Sequence, residues 1–372
     1  MKRTLGIAAI EQPEWPPYGK QRFYFEDMVN ACSDLDLEFF FFSPFDILST
    51  NFIEGWIFTK GIWKKTVQPL PYLIYDRAFS ADIEGRALLA RFRIFLKNGN
   101  FRVLNPVDMA LLLDDKVAFH SYLGKKGLPT LQALAFEALN DTALFNNDPV
   151  YYIKPICGSG GLGIFVAERK AKNWLLKNHI NSESEEFGSL NELYSFLLNR
   201  IEPSKYFIQP KAKVADYEGS PYDLRVLVQN YGNSDYRITG MALRIGQQGS
   251  NVSNLQAGGT ALPLEDLGKY FLKTFGRTLE SELEVIEKLA NKTAALIHKD
   301  FGSFTEIGLD LLLTSDRGPI IMEGNARPSR WVFNVMAERF KDNQEKYTHF
   351  KNLRTLSVRM PGIYTAGISN LI

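Results

Sequence analysis

YYIKPICGSGGLGIFVAE, residues 151–168, sets an apolar run, a loop carrying four glycines and a second apolar run in immediate succession. Tyr151, Tyr152, Ile153 and Ile156 before the loop, and Ile164, Phe165 and Val166 after it, are strand formers, so the stretch predicts strand, loop, strand. A Walker loop ends in GKS or GKT and opens a helix, and a dinucleotide fingerprint also opens a helix, whereas Gly163 opens a strand. Gly158, Gly160, Gly161 and Gly163 tolerate φ > 0 and bring bare N–H groups close to a ligand, so the loop suits a lid over polyphosphate with Lys154 just beneath it. A mobile hairpin tip on a surface sheet accounts for the same glycines, and the rest of the chain has to decide.

A second stretch bears on the choice. EIGLDLLLTSDRGPIIMEGNARP, residues 306–328, is two apolar strands around TSDRG, and folding it about Asp316 and Arg317 sets Asp310 across from Glu323, with Asn325 on the face of Glu323. Carboxylates in two core-like strands are costly unless something cationic meets them. Three oxygen donors of this kind suit Mg²⁺, which takes its remaining ligands from water and nucleotide phosphates. Salt bridges to lysine or arginine are the alternative.

Between these stretches, SESEE (182–186) reads as a solvated loop, LNELYSFLLNR as an amphipathic helix and YFIQP (206–210) as a short strand. YDLRVLVQ (222–229) and RITGMALRIG (237–246) flank the turn-rich NYGNSD and form an antiparallel hairpin. Period-two spacing puts Asp223 and Arg225 on one face, near Arg244 on the second strand. Asn254, Gly258 and Gly259 then supply a polar backbone that a ligand can approach closely, and a helix over 279–299 turns Leu283, Ile286, Leu289 and Ala290 to the core.

Upstream, strands at 4–10, 37–42, 56–59, 71–76 and 101–105 alternate with helices at 20–33 and 83–97, which predicts a small α/β domain with an open, mostly parallel sheet. Asp76 and Arg77 stand at a strand end, where such sheets present ligand groups, although a turn with solvated charges fits them too. Asn105 and Pro106 mark a linker, and Asp108 caps a helix reaching Leu123, within which Lys116 by itself reads as a solvated lysine.

The bulk numbers exclude several classes. With 372 residues the chain has room for two or three domains, and 43 Lys+Arg against 42 Asp+Glu give no global charge for nucleic acid or an anionic membrane. A hydrophobic content of 45% fits a globular enzyme, and no run approaches the ~18 apolar residues of a membrane span. The apolar stretch after Lys2 and Arg3 is cut short by Glu11, too early for a signal peptide, and two cysteines, Cys32 and Cys157, fit a reducing, cytoplasmic interior. His120, His179, His298 and His349 lack ligand-like spacing and read as ordinary residues.

The order of a helix lysine, a lysine before a glycine-rich hairpin, an FIQ strand, a DLR strand, an arginine strand, an N-x3-GG turn and a D...ExN hairpin resembles the ATP-grasp superfamily over roughly residues 107–335. YDLRVLVQ, TGMALRIG, VSNLQAGG and EGNARPSR, with IEGW and IYDR in the head, resemble its YheC/YheD branch, which is described as spore-coat-associated. The resemblance implies an α/β head (1–106) followed by an ATP-grasp domain (107–372), whose lid subdomain covers about 110–205 and whose central metal-binding subdomain covers about 206–345. It implies that Lys116, Lys154, Gly158, Ser159, Gly160, Gly161 and Gly163 bind ATP, that Gln209 and Lys211 belong to the strand along the adenine, and that Asp310, Glu323 and Asn325 hold Mg²⁺. Many relatives carry an acidic residue where this chain has Gln209, Pro210 and Lys211.

The activity implied is ADP-forming ligation of a small-molecule or peptide carboxylate to an amine or thiol. Arg225, Arg244 and Arg327 are the expected catalytic residues, and Asp76, Arg77, Asp223, Asn254, Gly258 and Gly259 the expected substrate contacts. A nucleotide-binding coat protein with little turnover and a small-molecule kinase on the same fold are the alternatives.

Overall fold

The structure is a computed structural model, and it describes residues 3–12, 15–45, 52–80, 82–141, 145, 149–158, 161–178, 183–214, 217–248, 253, 255 and 258–368. Three sheets organise these residues.

The head sheet runs in the order β4-β3-β2-β1-β5-β6. Its apolar strands β1 (Arg3–Ala8), β2 (Leu37–Phe42), β5 (Leu73–Asp76) and β6 (Arg102–Val103) are parallel, as their near-continuous hydrophobicity requires. An antiparallel hairpin of β3 (Phe52–Thr59) and β4 (Ile62–Pro69) extends it, closed by Lys60 and Gly61, both at positive φ. β4 was not legible because it buries little besides Trp63. Helices α1 (Arg22–Ala31) and α2 (Ile83–Asn98) cover the sheet, α2 capped by Asp82, which accepts from the Gly85 N–H.

The helix expected from Asp108 to Leu123 is two helices. α3 (Val107–Asp114) begins after Pro106, and α4 (Lys116–Lys125) begins after Asp115, which leaves helical geometry and accepts from the Ala118 N–H. Asp115 is therefore the cap, and Lys116 stands at the first position of α4 instead of mid-helix. Asn105 is a buried junction and no loose linker. Its amide donates to the carbonyls of Glu306 (3.0 Å) and Ala326 (2.6 Å), and its oxygen accepts from the N–H groups of Thr305 and Glu306.

The lid sheet has the order β11-β10-β9-β8-β12-β7. The glycine-rich stretch forms β8 (Val150–Pro155) and β9 (Phe165–Lys170), antiparallel neighbours as expected. β10 (Asn173–Asn178) follows, and residues read as a solvated loop form β11 (Ser184–Phe187), a polar edge strand paired through Leu176 and Glu185. Helix α5 (Leu190–Leu198) buries Leu193 and Leu197 against Ile153, Trp174 and Leu176. β12 (Tyr206–Pro210) lies between β8 and β7 (Leu134–Ala135).

The central sheet has the order β15-β14-β13-β16-β17, from β13 (Tyr222–Asn230), β14 (Tyr236–Ile245), β15 (Thr260–Leu262), β16 (Glu306–Thr314) and β17 (Gly318–Asn325). Leu224, Val226 and Val228 pack on one face against Ile286, Leu289 and Ala290 of α7 (Leu279–Phe301), while α6 (Gly268–Phe275) precedes that helix. On the other face, Leu227 and Ala242 meet Val332, Phe333 and Met336 of α8 (Trp331–Arg339). The last helix, α9 (Gln344–Ile368), runs back to the head, where Tyr364 and Ile368 join the core of Phe25, Met28 and Tyr75. Among the described residues, no helix is long and apolar enough to cross a membrane.

Candidate active site between the lid and central sheets

Pairing in the central sheet sets the charged residues. Asp310 in β16 stands opposite Glu323 on one side and Arg225 in β13 on the other, and Asp223 stands opposite Arg244. The expected register of the carboxylate hairpin is thus observed, with an irregularity between Asp310 and Leu311 and Gly318 at positive φ in its turn.

The resulting ladder alternates in sign. Arg225 donates through Nε (2.5 Å) and Nη2 (3.1 Å) to the two oxygens of Asp310, and Arg244 bridges Asp310 Oδ2 (2.9 Å) and Asp223 Oδ1 (2.6 Å). Ser253 donates to the other oxygen of Asp223, and the Asn325 amide lies 3.4 Å from Asp310 Oδ2. Burial raises the pKa of both carboxyls. At Asp310 two guanidiniums overcome it and hold the group down to about 2, whereas at Asp223 burial together with the charge of Asp310 leaves the pKa raised.

Asp76 is held near the same value, since Arg327 and Arg93 outweigh its burial. Both Asp76 and Asp310 have folded pKa values below the unfolded ~3.9, so their stabilisation is complete above about pH 4 and is lost as pH falls toward 2. Unfolding followed by urea titration is expected to lose about 2 to 3 kcal/mol per group across that window, with little change from these two above pH 5. An acid limb flat down to pH 2.5 would contradict these pairings.

The lysines lie across from this ladder. Lys154 in β8 is half-buried, lies over the Tyr152 ring and donates to Gln209 Oε1 of β12 at 2.9 Å. Burial and the charge of Lys116 depress its pKa, Glu323 opposes them, and the outcome is about 8. Lys116 donates to the Gly158 carbonyl (2.6 Å) and lies 3.6 Å from Glu323 Oε1. The backbone N–H of Lys116, unsatisfied at a helix start, donates to the Ile156 carbonyl, so the beginning of α4 fastens the end of β8 next to the hairpin. Lys116, Lys154, Gly158, Gln209 and Glu323 are therefore brought together.

In the loop, Gly158, Gly161 and Gly163 have positive φ. A Cβ on Gly163 would also lie 2.9 Å from Tyr206 Oη, whereas one on Gly158 would meet nothing within 4 Å. Ser159 and Gly160 lie outside the described residues, as does Asn254. Lys211 follows β12 with an exposed side chain, and Gly258, at positive φ, and Gly259 lead into β15.

Asp76 and Arg77, expected as substrate contacts, and Arg327, expected as catalytic, are placed in internal ion pairs. Arg77 is buried in the junction between head and central sheet, donating to Glu306 (3.3 Å) and the Pro328 carbonyl (3.2 Å) beneath the Tyr24 ring. Arg327 bridges Asp76 (2.8 Å) and Asp114 (3.0 Å), and Asp76 itself is also gripped by Arg93 (2.9 Å). Internal carboxylates balance these guanidiniums, so Arg77, Arg327 and Asp76 join the head to α3 and the central sheet.

His120, which reads from the sequence as an ordinary residue, is buried on α4 and bonded to Gln209 and Thr130. Cys32 is inert, its thiol pushed up to about 12 by burial.

The donor set tests the expected cation. Asp310, Glu323 and Asn325 present two carboxylates and an amide at adjacent positions of paired strands, and Glu323 has one loose ionic partner at 3.6 Å. Oxygen donors without sulfur or imidazole suit Mg²⁺, and of the two carboxylates Glu323 is the one free of guanidinium contacts among the described residues, since both oxygens of Asp310 accept from Arg225 and Arg244.

An α/β head, a glycine-looped antiparallel lid and a carboxylate-bearing central sheet define an ATP-grasp protein. A family model of YheC/D-like ATP-grasp proteins matches residues 103–353, and the chain belongs to that family. It is 22% identical over 335 residues to the endospore coat-associated protein YheC of Bacillus subtilis (strain 168), covering 88% of this chain and 89% of that one. Among solved structures, D-cycloserine synthetase DcsG superposes with a TM-score of 0.55 at 11% identity, over 96% of this chain and 99% of that one. A RiPP-associated ATP-grasp ligase of Chryseobacterium gregarium, solved with ADP and a leader and core peptide, gives 0.53 at 14% identity, over 96% of each chain. At these identities the two structures establish a shared fold.

Proposed function

We propose that this chain is an ADP-forming ligase that activates a carboxylate with ATP and joins it to an amine. The observation that carries the reading is the convergence of Lys116, Lys154 and the glycine loop on the Asp310/Glu323 hairpin. Two lysines facing paired carboxylates suit a polyphosphate and its counter-ion.

In this reading the phosphates lie beneath the loop, with Lys116 and Lys154 donating to their oxygens. Asp310, Glu323 and Asn325 would hold Mg²⁺, which would supply positive charge against the phosphates. Arg225 and Arg244 each direct two nitrogens at carboxylates, and a guanidinium has five N–H donors. Their remaining donors orient the acceptor carboxylate or the transferring phosphoryl group. The carboxylate oxygen attacks the γ-phosphorus, the bond to the bridging oxygen breaks, and ADP leaves. The amine then attacks the acyl carbon and releases phosphate. A peptide or amino-acid carboxylate is the substrate class we favour, since the fold is shared with a ligase solved with peptide.

Incubation with ATP and Mg²⁺ over pools of carboxylic acids and amines tests this. ADP release requiring both partners, with a product mass equal to their sum less water, is the expected result. A stable phosphorylated product means a kinase instead. Binding of ATP with no ADP under any mixture favours the second reading, a nucleotide-binding coat component, which the name of YheC motivates.

Lys154→Ala is expected to weaken ATP binding by about 1 to 3 kcal/mol, the scale of a charge-assisted hydrogen bond. The same lysine gives a pH signature. Its pKa of about 8 rises when an anion binds, so ATP binding takes up a proton near pH 8 and weakens above it. Calorimetry in two buffers of different ionisation enthalpy measures that uptake, and its disappearance in Lys154→Ala assigns it.

A further inference from the structure

A continuous hydrogen-bond chain leads from Lys154 in the lid sheet to the carboxylate hairpin of the central sheet. Lys154 donates to Gln209 Oε1 (2.9 Å), Gln209 Nε2 lies 3.0 Å from His120 Nε2, and His120 Nδ1 lies 2.6 Å from Thr130 Oγ1. Thr130 Oγ1 donates to the Ile321 carbonyl (2.9 Å), two residues before Glu323, and the Ile321 N–H donates to Pro129. Gln209, at 1% exposure, and His120, at 4%, are shielded from water that could substitute for a lost partner.

The chain has a direction fixed from its far end. A carbonyl accepts and never donates, so the single proton of the Thr130 hydroxyl goes to Ile321 and Oγ1 must accept from His120 Nδ1–H. A neutral imidazole protonated at Nδ1 then offers Nε2 as an acceptor, which draws the Gln209 NH₂ toward it and leaves the amide oxygen facing Lys154. Reversal of any link would aim an NH₂ at an ammonium. The surroundings keep the ring neutral, since burial and the charges of Lys154 and Lys116 push His120 down to about 4.

We infer that His120 is a positioning residue for nucleotide binding, in that its Nδ1–H tautomer sets the polarity of Gln209 and thereby holds the Lys154 ammonium in place beside Lys116 and Glu323. This rests on the reading of Lys154 as a phosphate contact. It also couples the lid to the metal hairpin, since the polarity originates at a β17 carbonyl.

The test combines one spectroscopic and three binding measurements at pH 7. Long-range ¹H–¹⁵N NMR of the wild-type chain is expected to report His120 neutral and protonated at Nδ1. His120→Phe, which keeps a ring but accepts nothing, is expected to weaken ATP binding roughly tenfold, the scale of one misdirected charge-assisted bond. Adding Gln209→Glu, whose carboxylate has no NH₂ to misdirect, is expected to restore affinity to within about threefold of wild type, which a purely structural role of His120 does not explain. Lys154→Ala serves as the control.

An Nε2–H tautomer or an imidazolium in the wild type overturns the inference even if the variants fail to fold. So does unchanged affinity in His120→Phe when Lys154→Ala binds weakly, or a folded double variant without rescue. Unchanged affinity in Lys154→Ala overturns the nucleotide reading instead, and with it the role of His120, while the tautomer result stands by itself.

Discussion

Arg330→Met is expected to lower the unfolding free energy by about 3 to 5 kcal/mol, the range for removing one partner of a buried ion pair. Arg330 and Glu306 both have side chains at 0% exposure. Arg330 donates through Nη1 to Glu306 Oε1 (2.9 Å) and through Nη2 to Oε2, and also to the carbonyls of Pro328 and Ser357. Glu306 accepts further from Tyr75 (2.5 Å), Arg77 (3.3 Å) and Gln229 (2.9 Å). Methionine preserves much of the volume but leaves a carboxylate in the interior with a weakened set of partners. Burial works to raise the Glu306 pKa, and it is Arg330 first and Arg77 second that keep it lowered.

The cost should be recoverable. Replacing both charges, Arg330→Met with Glu306→Leu, removes the uncompensated carboxylate and is expected to return at least half of the loss. Urea denaturation of the three proteins decides it, and a single-variant loss under about 1 kcal/mol would mean that Arg77 alone suffices. The consequence reaches function because these groups come from the head, the central sheet, the start of α8 and α9. This cluster fixes the head against the sheet that bears the site.

What was legible in the sequence was local. The Asp310–Glu323 register follows from a short turn between two apolar strands, and the β13–β14 pairing from the same logic. The strand-loop-strand reading of residues 151–168 held because four glycines within six residues leave no continuous helix. Where Arg77 and Arg327 point was not legible, since their partners Glu306 and Asp114 stand 229 and 213 residues away in the chain. A strand-end arginine looks identical whether it meets a substrate carboxylate or a distant internal one. The break at Asp115 was hidden because the apolar pattern runs through it and the deciding contact, an aspartate capping the helix that begins after it, involves no apolar residue. β11 reads as loop because an edge strand whose one apolar residue, Phe187, stands at its end has no hydrophobic alternation to display.

Glu323→Gln is expected to abolish metal-dependent ADP formation, a fall of at least about 10² to 10³-fold, while leaving the fold in place. Both halves come from its surroundings. The side chain is 24% exposed and its ionic contact is Lys116 at 3.6 Å, a half-open pair worth about 0 to 1 kcal/mol. Its charge is therefore dispensable for folding and available for a cation. Asp310 differs, since at 4% exposure it balances Arg225 and Arg244, and Asp310→Asn should cost stability together with activity. The contrast separates a ligand with little structural load, Glu323, from one that also balances two arginines, Asp310. Measured on the same preparation, Glu323→Gln should retain the wild-type melting midpoint and lose turnover, with ATP affinity in the absence of metal unchanged or slightly improved as the carboxylate charge near the phosphates disappears. Normal turnover in Glu323→Gln removes the cation from this hairpin, and the ladder of Asp223, Arg244, Asp310 and Arg225 is then a structural device of the central sheet.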